Sequence, residues 1–459
     1  MKEYDHVVIG TGQATGTLLG RLIATGESIA VLEGGRVGGS CINYGCTPTK
    51  TLVASARAIH MAQRGGEFGF NAGPVELNYN RIWERMNTIR QDSSNGLTEW
   101  MESTDNVSLI RNWSEFIDDH TIKAGNLTIK GRNIYINTGT RPGIPAIDGL
   151  DKVDWLDSAR MLDLEIKPDH LLIIGGGYIG MEFAQIDRRF GSEVTVIQQN
   201  ERVMPREDPD VSDAIRQFLE DEGIQIRCNV SAGSVSRENN RLRLLTTGPD
   251  GIQEAFTGTH LLIAAGRMPN SGSLNLAKTG IEVDEKGYIQ VDDFCRTRVE
   301  GLFALGDVNG KGAFTHTSVN DAEIVLDYLF GSAKRRISDR IPIYALFTDP
   351  PLGRVGMTEK EALAAGIRIL KAVRPMSKIN RAKEMSETNG FAKVIVDAET
   401  DLILGVSILG PGGDEIINMF AAIMHSKIPC REYSRVVFVH PTVSELMPWM
   451  LNDLKEVNP

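Results

Sequence analysis

Short apolar runs that close into glycine-rich turns recur along the chain. Asp5-His6-Val7-Val8-Ile9 leads into Gly10-Thr11-Gly12-Gln13-Ala14-Thr15. A helix is expected from Leu18 to Ala24, then a strand Ile29-Ala30-Val31-Leu32 ending in Glu33. The device returns as Leu171-Leu172-Ile173-Ile174 followed by Gly175-Gly176-Gly177-Tyr178-Ile179-Gly180. A helical stretch to Phe190 and a strand Val194-Thr195-Val196-Ile197 ending in Gln198 follow. Strand, glycine-rich turn, helix and second strand make the unit that seats a dinucleotide pyrophosphate at a helix N-terminus. A single match is weak evidence, whereas two full copies in the right context are strong. In the first copy Thr15 holds the third glycine position, with Gly16 one residue later. That position serves helix–strand packing, so Thr15 bears on the packing distance more than on the cofactor.

The two copies also end alike. Ile134-Tyr135-Ile136-Asn137-Thr138-Gly139-Thr140-Arg141-Pro142 parallels Leu261-Leu262-Ile263-Ala264-Ala265-Gly266-Arg267-Met268-Pro269. Such turns suit a chain leaving one domain for the next. Gly301-Leu302-Phe303-Ala304-Leu305-Gly306-Asp307 is a third apolar strand ending in an acid. From about Ile341 strands (Ala392 to Val396, Leu404 to Ile408) mix with helices such as Glu415 to Met424, without a cofactor signature. This reads as a separate α+β domain.

A chain of 459 residues suggests about three domains, and its net charge of −11 argues against nucleic acid or an anionic membrane as partner. Nothing resembles a secretory leader or a membrane span, so a cytoplasmic location is expected. Five cysteines are too few for a disulfide scaffold. Cys228, Cys295 and Cys430 are isolated and read as ordinary thiols. Cys41 and Cys46 differ, because four residues separate them in Gly38-Gly39-Ser40-Cys41-Ile42-Asn43-Tyr44-Gly45-Cys46-Thr47-Pro48-Thr49-Lys50. One short loop or distorted helical turn brings such a pair within disulfide reach. Zinc frameworks need four ligands at set spacings, and no second pair or neighbouring His supplies them. No metal site is expected.

These motifs, with Val439-His440-Pro441-Thr442-Val443-Ser444-Glu445 near the end, resemble the class I pyridine nucleotide–disulfide oxidoreductases over nearly the whole chain. The dihydrolipoyl dehydrogenase and mercuric reductase branch is nearest. The resemblance implies an α/β protein with two Rossmann-like domains and a C-terminal α+β dimerisation domain. Its FAD domain would span 1–148 and 271–340, its NAD(P) domain 149–270 and its dimerisation domain 341–459. FAD would be held by Gly10, Gly12, Thr15, Glu33, Gly39, Ser40, Lys50, Thr138, Gly139, Gly306 and Asp307. Glu33 would meet the ribose of the adenosine half and Asp307 the ribityl chain. NAD(P)H would be held by Gly175, Gly177, Tyr178, Ile179, Gly180, Gln198, Gln199 and Gly266.

By the same resemblance, electrons pass from NAD(P)H through FAD to a Cys41–Cys46 disulfide and on to a small disulfide or thiol-reactive oxidant. Cys46 would be the flavin-proximal sulfur and Cys41 the interchange thiol. Pro48 reads either as part of a helical first turn whose positive end favours the Cys46 anion, or as a kink. Lys50, four residues after Cys46, would share its helix face and pair with Glu182 beside the flavin. His440 would be the general acid–base, oriented by Glu445. Since His440 would approach the other subunit's disulfide, an obligate homodimer is implied.

Departures narrow the substrate. The terminal segment from Leu454 to Pro459 lacks the cysteine pair of mercuric reductases, so a mercuric reductase-like enzyme without that pair is one alternative. Gly20, beside Arg21, stands where glutathione reductases place an Arg for glutathione. Dihydrolipoyl dehydrogenase, with a lipoyl-bearing protein as partner, remains open. A relative reducing oxidants such as hypothiocyanous acid is open too; a non-catalytic redox sensor is a rival against which the intact Lys50, Glu182, His440 and Glu445 set argues, since a sensor needs no acid–base dyad. Neither an acid nor an Arg stands at Gln198 and Gln199, so only a modest preference between NADH and NADPH is expected. Arg202 and Arg206 read as solvated surface residues.

Overall fold

The computed structural model describes residues 1–457; Asn458 and Pro459, the end of the terminal segment read above, lie outside them. Two parallel sheets are built on the two glycine-rich units. In the first, Val107–Ile110, Ile29–Leu32, Lys2–Ile9, Leu127–Ile136 and Leu302–Ala304 lie side by side in parallel, with Thr121–Ala124 and Ser114–Phe116 continuing antiparallel from Leu127–Ile136. In the second, Gln225–Arg227, Glu193–Ile197, His170–Ile174 and His260–Ile263 run parallel. The second unit also carries an antiparallel meander of Ser231–Glu238, Arg241–Thr247 and Gln253–Gly258.

The two similar strand ends meet. Thr140–Pro142 pairs antiparallel with Arg267–Pro269, so the chain leaves the first sheet and returns to it through one two-stranded hinge. The C-terminal part folds on a sheet of Ile343–Leu346, Leu352–Gly356, Ile403–Leu409, Phe391–Asp397, Ile369–Pro375 and Lys455–Glu456, with the helix Gly413–His425 against it.

The first helix spans Gln13–Leu22, beginning five residues before the apolar run that reveals it in sequence. It opens directly from Gly12, and Thr15 N donates to Gly12 O at 2.9 Å. Thr15 is accommodated by its own chemistry: its hydroxyl donates to Gly10 O at 2.8 Å and accepts from Asn137 Nδ2 at 2.9 Å. At the matching Gly180, a Cβ would lie 2.0 Å from Gly175 O. The first helix thus stands off its turn and bridges the gap with a hydroxyl, while the second packs tight.

The core joins the units. Leu52 and Ala56 of the helix Cys46–Gln63 pack in one apolar cluster with Ile173, Met181 and Phe183 of the second unit and Leu346, Leu352 and Leu409 of the C-terminal sheet. A buried charge cluster adds to this seam. Lys393, 1% exposed, places Nζ 2.8 Å from Asp208 and 2.6 Å from Asp210, at the start of the helix Pro209–Asp221. Burial opposes ionisation of Asp208, but Lys393 and the Glu359 and Lys360 amides outweigh it and hold the carboxyl below its ordinary value. Removing one member of such a cluster leaves buried charge without compensation. Lys393→Met is therefore expected to lose about 3–5 kcal/mol, read as a lower urea midpoint for the holoenzyme. A change below about 0.5 kcal/mol would show that this seam relaxes around the loss.

Candidate active site

The chain around the two thiols is a short helix, a break and a long helix. Gly39–Tyr44 carries Cys41, Gly45 interrupts with φ −147° and ψ −113°, and Cys46 is the first residue of Cys46–Gln63. A Cβ at Gly45 would crowd Ser40 O at 3.0 Å, so the sharp reversal favours glycine. Asn43, buried between the thiols, braces the loop by donating to Val37 O at 2.9 Å and Gly39 O at 3.1 Å. Pro48 sits in the first turn of the long helix, whose free backbone N–H groups favour an anion.

Both cysteines are free thiols in this structure, Cys41 half-buried and Cys46 exposed. The neighbouring Cys46 sulfur and burial push the Cys41 thiol well above its ordinary pKa. Cys46 is lowered to about 6, first by the neighbouring Cys41 thiol, then, against the opposing desolvation by atoms packed around the sulfur, by the Thr315 hydroxyl and the Lys50 charge. Thr315 Oγ1 lies 3.4 Å from Cys46 Sγ and opens the helix Thr315–Phe330. Thr315 is absent from the sequence reading. It lies 269 residues from Cys46, and only its place after Gly306-Asp307, at a helix start, hints at a role.

Lys50 and Glu182 meet. Lys50 Nζ donates to Glu182 Oε2 at 2.7 Å, and the ammonium also lies 4.6 Å from the centre of the Phe347 ring. Glu182, 6% exposed, accepts from Phe347 N at 3.0 Å on its other oxygen. The helix Tyr178–Arg189 is thereby fastened to the thiol-bearing helix.

The first glycine turn has a matching shape. Gly10 has φ +96°, and a Cβ there would lie 2.4 Å from Asn137 O. A Cβ at Gly39 would come within 2.7 Å of Gly12 Cα. Side-chain-free backbone thus lines the turn between the strand and the thiol loop. Glu33 accepts from Thr11 N at 2.9 Å and from the Thr11 hydroxyl at 2.6 Å, and that hydroxyl in turn accepts from Gly38 N at 2.9 Å. Thr138 Oγ1 is buried without a hydrogen-bond partner among the described residues, beside Gly139, whose φ is +64°. Asp307 accepts from the Thr140 hydroxyl at 2.8 Å, next to Gly306 with φ +70°. Ser40 is exposed on the first turn of the Cys41 helix. Bare backbone, an unpartnered hydroxyl and carboxylates at the strand ends suit a flavin dinucleotide.

The second turn repeats the first. Gly175 has φ +114°, Gly177 caps the helix, and Tyr178, Ile179 and Gly180 form its first turn. Gln198 stands to this turn as Glu33 does to the other: its Oε1 accepts from Gly176 N at 3.2 Å, while its Nε2 donates to Arg202 O at 3.1 Å. Gln199 is exposed, Arg202 pairs with Glu201 and Asp213, and Gly266 closes the fourth strand with φ +128°.

His440 and Glu445 also form a pair, with Nδ1 2.9 Å and 3.0 Å from the two carboxylate oxygens. The imidazole is 72% exposed while its carboxylate partner is largely covered. Around it Val436, Val437 and Val439 stand open to solvent.

Comparison with known proteins agrees with this geometry. Residues 4–322 match the pyridine nucleotide-disulphide oxidoreductase family, and residues 343–451 match its dimerisation domain. The probable pyridine nucleotide-disulfide oxidoreductase RclA of Escherichia coli is 37% identical over 462 residues, covering 99% of each chain. A dihydrolipoyl dehydrogenase of Thermus scotoductus is 32% identical over 97% of this chain and 96% of its own length. A solved copper(II) complex of RclA, described as an HOCl-induced flavoprotein disulfide reductase, superposes with a TM-score of 0.90 at 35% identity. It covers 99% of this chain and 100% of that one. The chain belongs to the pyridine nucleotide-disulfide oxidoreductase family and is an FAD-dependent oxidoreductase that uses NAD(P)H.

Proposed function

We propose that Cys41 and Cys46 are the working dithiol of this enzyme and that its substrate is a small disulfide or thiol-reactive oxidant. The observation that carries this is the place of Cys46 at a helix start, 3.4 Å from the Thr315 hydroxyl and one helical turn from Lys50, surroundings that lower its thiol. The likeness to an HOCl-induced reductase favours a thiol-reactive oxidant within that class. FAD, when bound, supplies two-electron transfer between the nicotinamide cofactor and the dithiol. Glu33, Thr138 and Asp307 would hold it along the first turn, and Gly175, Gly177 and Gln198 would hold the nicotinamide dinucleotide. On this reading the domains divide at 148, 270 and 340. A cytoplasmic setting suits a thiol pair that must return to the reduced state.

The substrate half of the reaction follows from thiol chemistry. Cys41, deprotonated, attacks one sulfur of a disulfide, forming a mixed disulfide and releasing the first thiolate. The Cys46 thiolate then attacks the Cys41 sulfur, closing the Cys41–Cys46 bond and releasing the second thiolate. The dithiol loses two electrons and the substrate gains them. His440 takes the Cys41 proton and returns it to a leaving thiolate, with Glu445 stabilising the charged imidazole. Because His440 faces solvent among exposed valines, on a segment matching a dimerisation domain, we assign it to the active site of a partner copy. A two-fold contact completes two such sites at once.

Three outcomes test this reading. Ultraviolet thiolate absorbance of the reduced protein should titrate with a midpoint near pH 6, and alkylation should slow as pH falls through that value. Cys41→Ala removes the largest stabilising contact and should move the midpoint upward; an unchanged midpoint would exclude the proposed pairing. Anaerobic titration with NADH or NADPH should consume more than the two electrons FAD accepts, whereas Cys46→Ser should stop at two. Last, inactive Cys41→Ser and inactive His440→Ala subunits, once mixed and exchanged, should regain turnover with the oxidant or with lipoamide. Silent heterodimers would sink the shared site.

A further inference from the structure

Three aromatic rings from three parts of the chain meet beside the thiols. Tyr178 opens the nicotinamide-side helix, Phe314 immediately precedes Thr315, and Tyr344 lies on the strand Ile343–Leu346. Tyr178 packs edge-on against Phe314 and Tyr344, with ring centres 5.9 and 5.5 Å apart. Phe314 and Tyr344 stack at 5.4 Å. Both tyrosine hydroxyls donate to one atom, Glu207 Oε1, Tyr344 at 2.8 Å and Tyr178 at 3.3 Å. Glu207 is 6% exposed, and its other oxygen has no partner among the described residues.

The segment carrying Glu207 is sewn to the same glycine turn at three places. Gln198 accepts from Gly176 N, Met204 N donates to Gly176 O at 2.7 Å, and Glu207 holds the ring of Tyr178. Tyr178 precedes Glu182 by four residues and shares its helix face. That face looks toward Lys50 and the thiol helix, the side on which Gly175–Gly177 would present a nicotinamide on the proposed reading.

We propose that Glu207 and Tyr344 are positioning residues for Tyr178, and through it for the nicotinamide half of the reaction. This rests on the reading of the second turn as the nicotinamide site. One carboxylate oxygen ties the ring of Tyr178 to the C-terminal sheet and to the segment from Gln198. The ring then stays packed on Phe314, and the first helical turn keeps its aim at the Lys50–Glu182 pair. The bonds use an acceptor atom rather than a charge, so Gln should replace Glu207 and Ala should not.

The test compares Glu207→Ala, Glu207→Gln and Tyr344→Phe holoenzymes, in which three readouts are followed. For Glu207→Ala, flavin reduction by NADH or NADPH in stopped flow should slow about tenfold. Reoxidation of the dithionite-reduced enzyme by hypothiocyanous acid or by lipoamide should stay within twofold, since the thiols and His440 are untouched. Amide exchange in the first turn of Tyr178–Arg189 should quicken. Glu207→Gln should return to within twofold of the unmodified enzyme, and Tyr344→Phe should slow flavin reduction about threefold, which keeps the test available if Glu207→Ala loses flavin. Normal flavin reduction in Glu207→Ala or Tyr344→Phe, or equal damage in the Gln and Ala variants, would overturn the proposal while leaving the active-site reading intact. If neither nucleotide reduces the unmodified flavin, the site reading itself falls, and this inference with it.

Discussion

The ion pair between Lys50 and Glu182 is the contact on which the arrangement of the site depends. It joins the helix that begins at Cys46 to the helix that begins at the second glycine turn. A carboxylate as covered as Glu182 is costly to take from water unless its oxygens are occupied. Lys50 occupies one and the Phe347 amide the other. The pair therefore draws three parts of the chain to one point, because Phe347 follows the first strand of the C-terminal sheet. The apolar cluster shared by Leu52, Met181 and Leu346 excludes water around that point. Packing supplies the affinity between the units, while the buried charges and hydrogen bonds fix their register.

With that register set, the electrostatics of the thiols follow from short-range contacts. Cys46 begins a helix and meets a hydroxyl from the start of another, with an ammonium one helical turn away. Cys41 sits in the preceding short helix, half-buried beside the Cys46 loop. The consequence is a division between two chemically identical side chains: these surroundings lower the Cys46 thiol and raise that of Cys41. An exposed His440 with its own carboxylate is suited to be a base for a second copy. The thiol pair and His440 lie at opposite ends of the chain, so on the proposed reading activity is tied to assembly.

The two dinucleotide units show how one device is tuned by single residues. Each has an extended strand, a left-handed first glycine, and a side chain from the second strand that accepts from the turn's backbone. Where that side chain is Glu33, a charge remains at the turn; where it is Gln198, the neutral amide is also used to hold Arg202 O. Thr15 and Gly180 show the same kind of substitution in packing, a hydroxyl bridge in one unit and direct backbone contact in the other.

Much of this was legible in the sequence. The two turns and the paired thiols stand out because local rules govern them: glycine where φ is positive, apolar runs for buried strands, short spacing between the thiols; Lys50 with Glu182 and His440 with Glu445 were legible only through the family resemblance. Even the Gly266-Arg267 turn resembles its earlier counterpart, and the strands following both turns pair in the fold. Thr315, Phe347, Glu207 and Lys393 did not stand out. Each is an unremarkable residue locally, and each acquires its role from a partner more than a hundred residues away. Local composition determines which units form and which cofactors they suit. Only tertiary packing decides which thiol ionises, which carboxylate is buried and what holds the units in line, because desolvation and charge pairing depend on neighbours that the chain brings together when it folds.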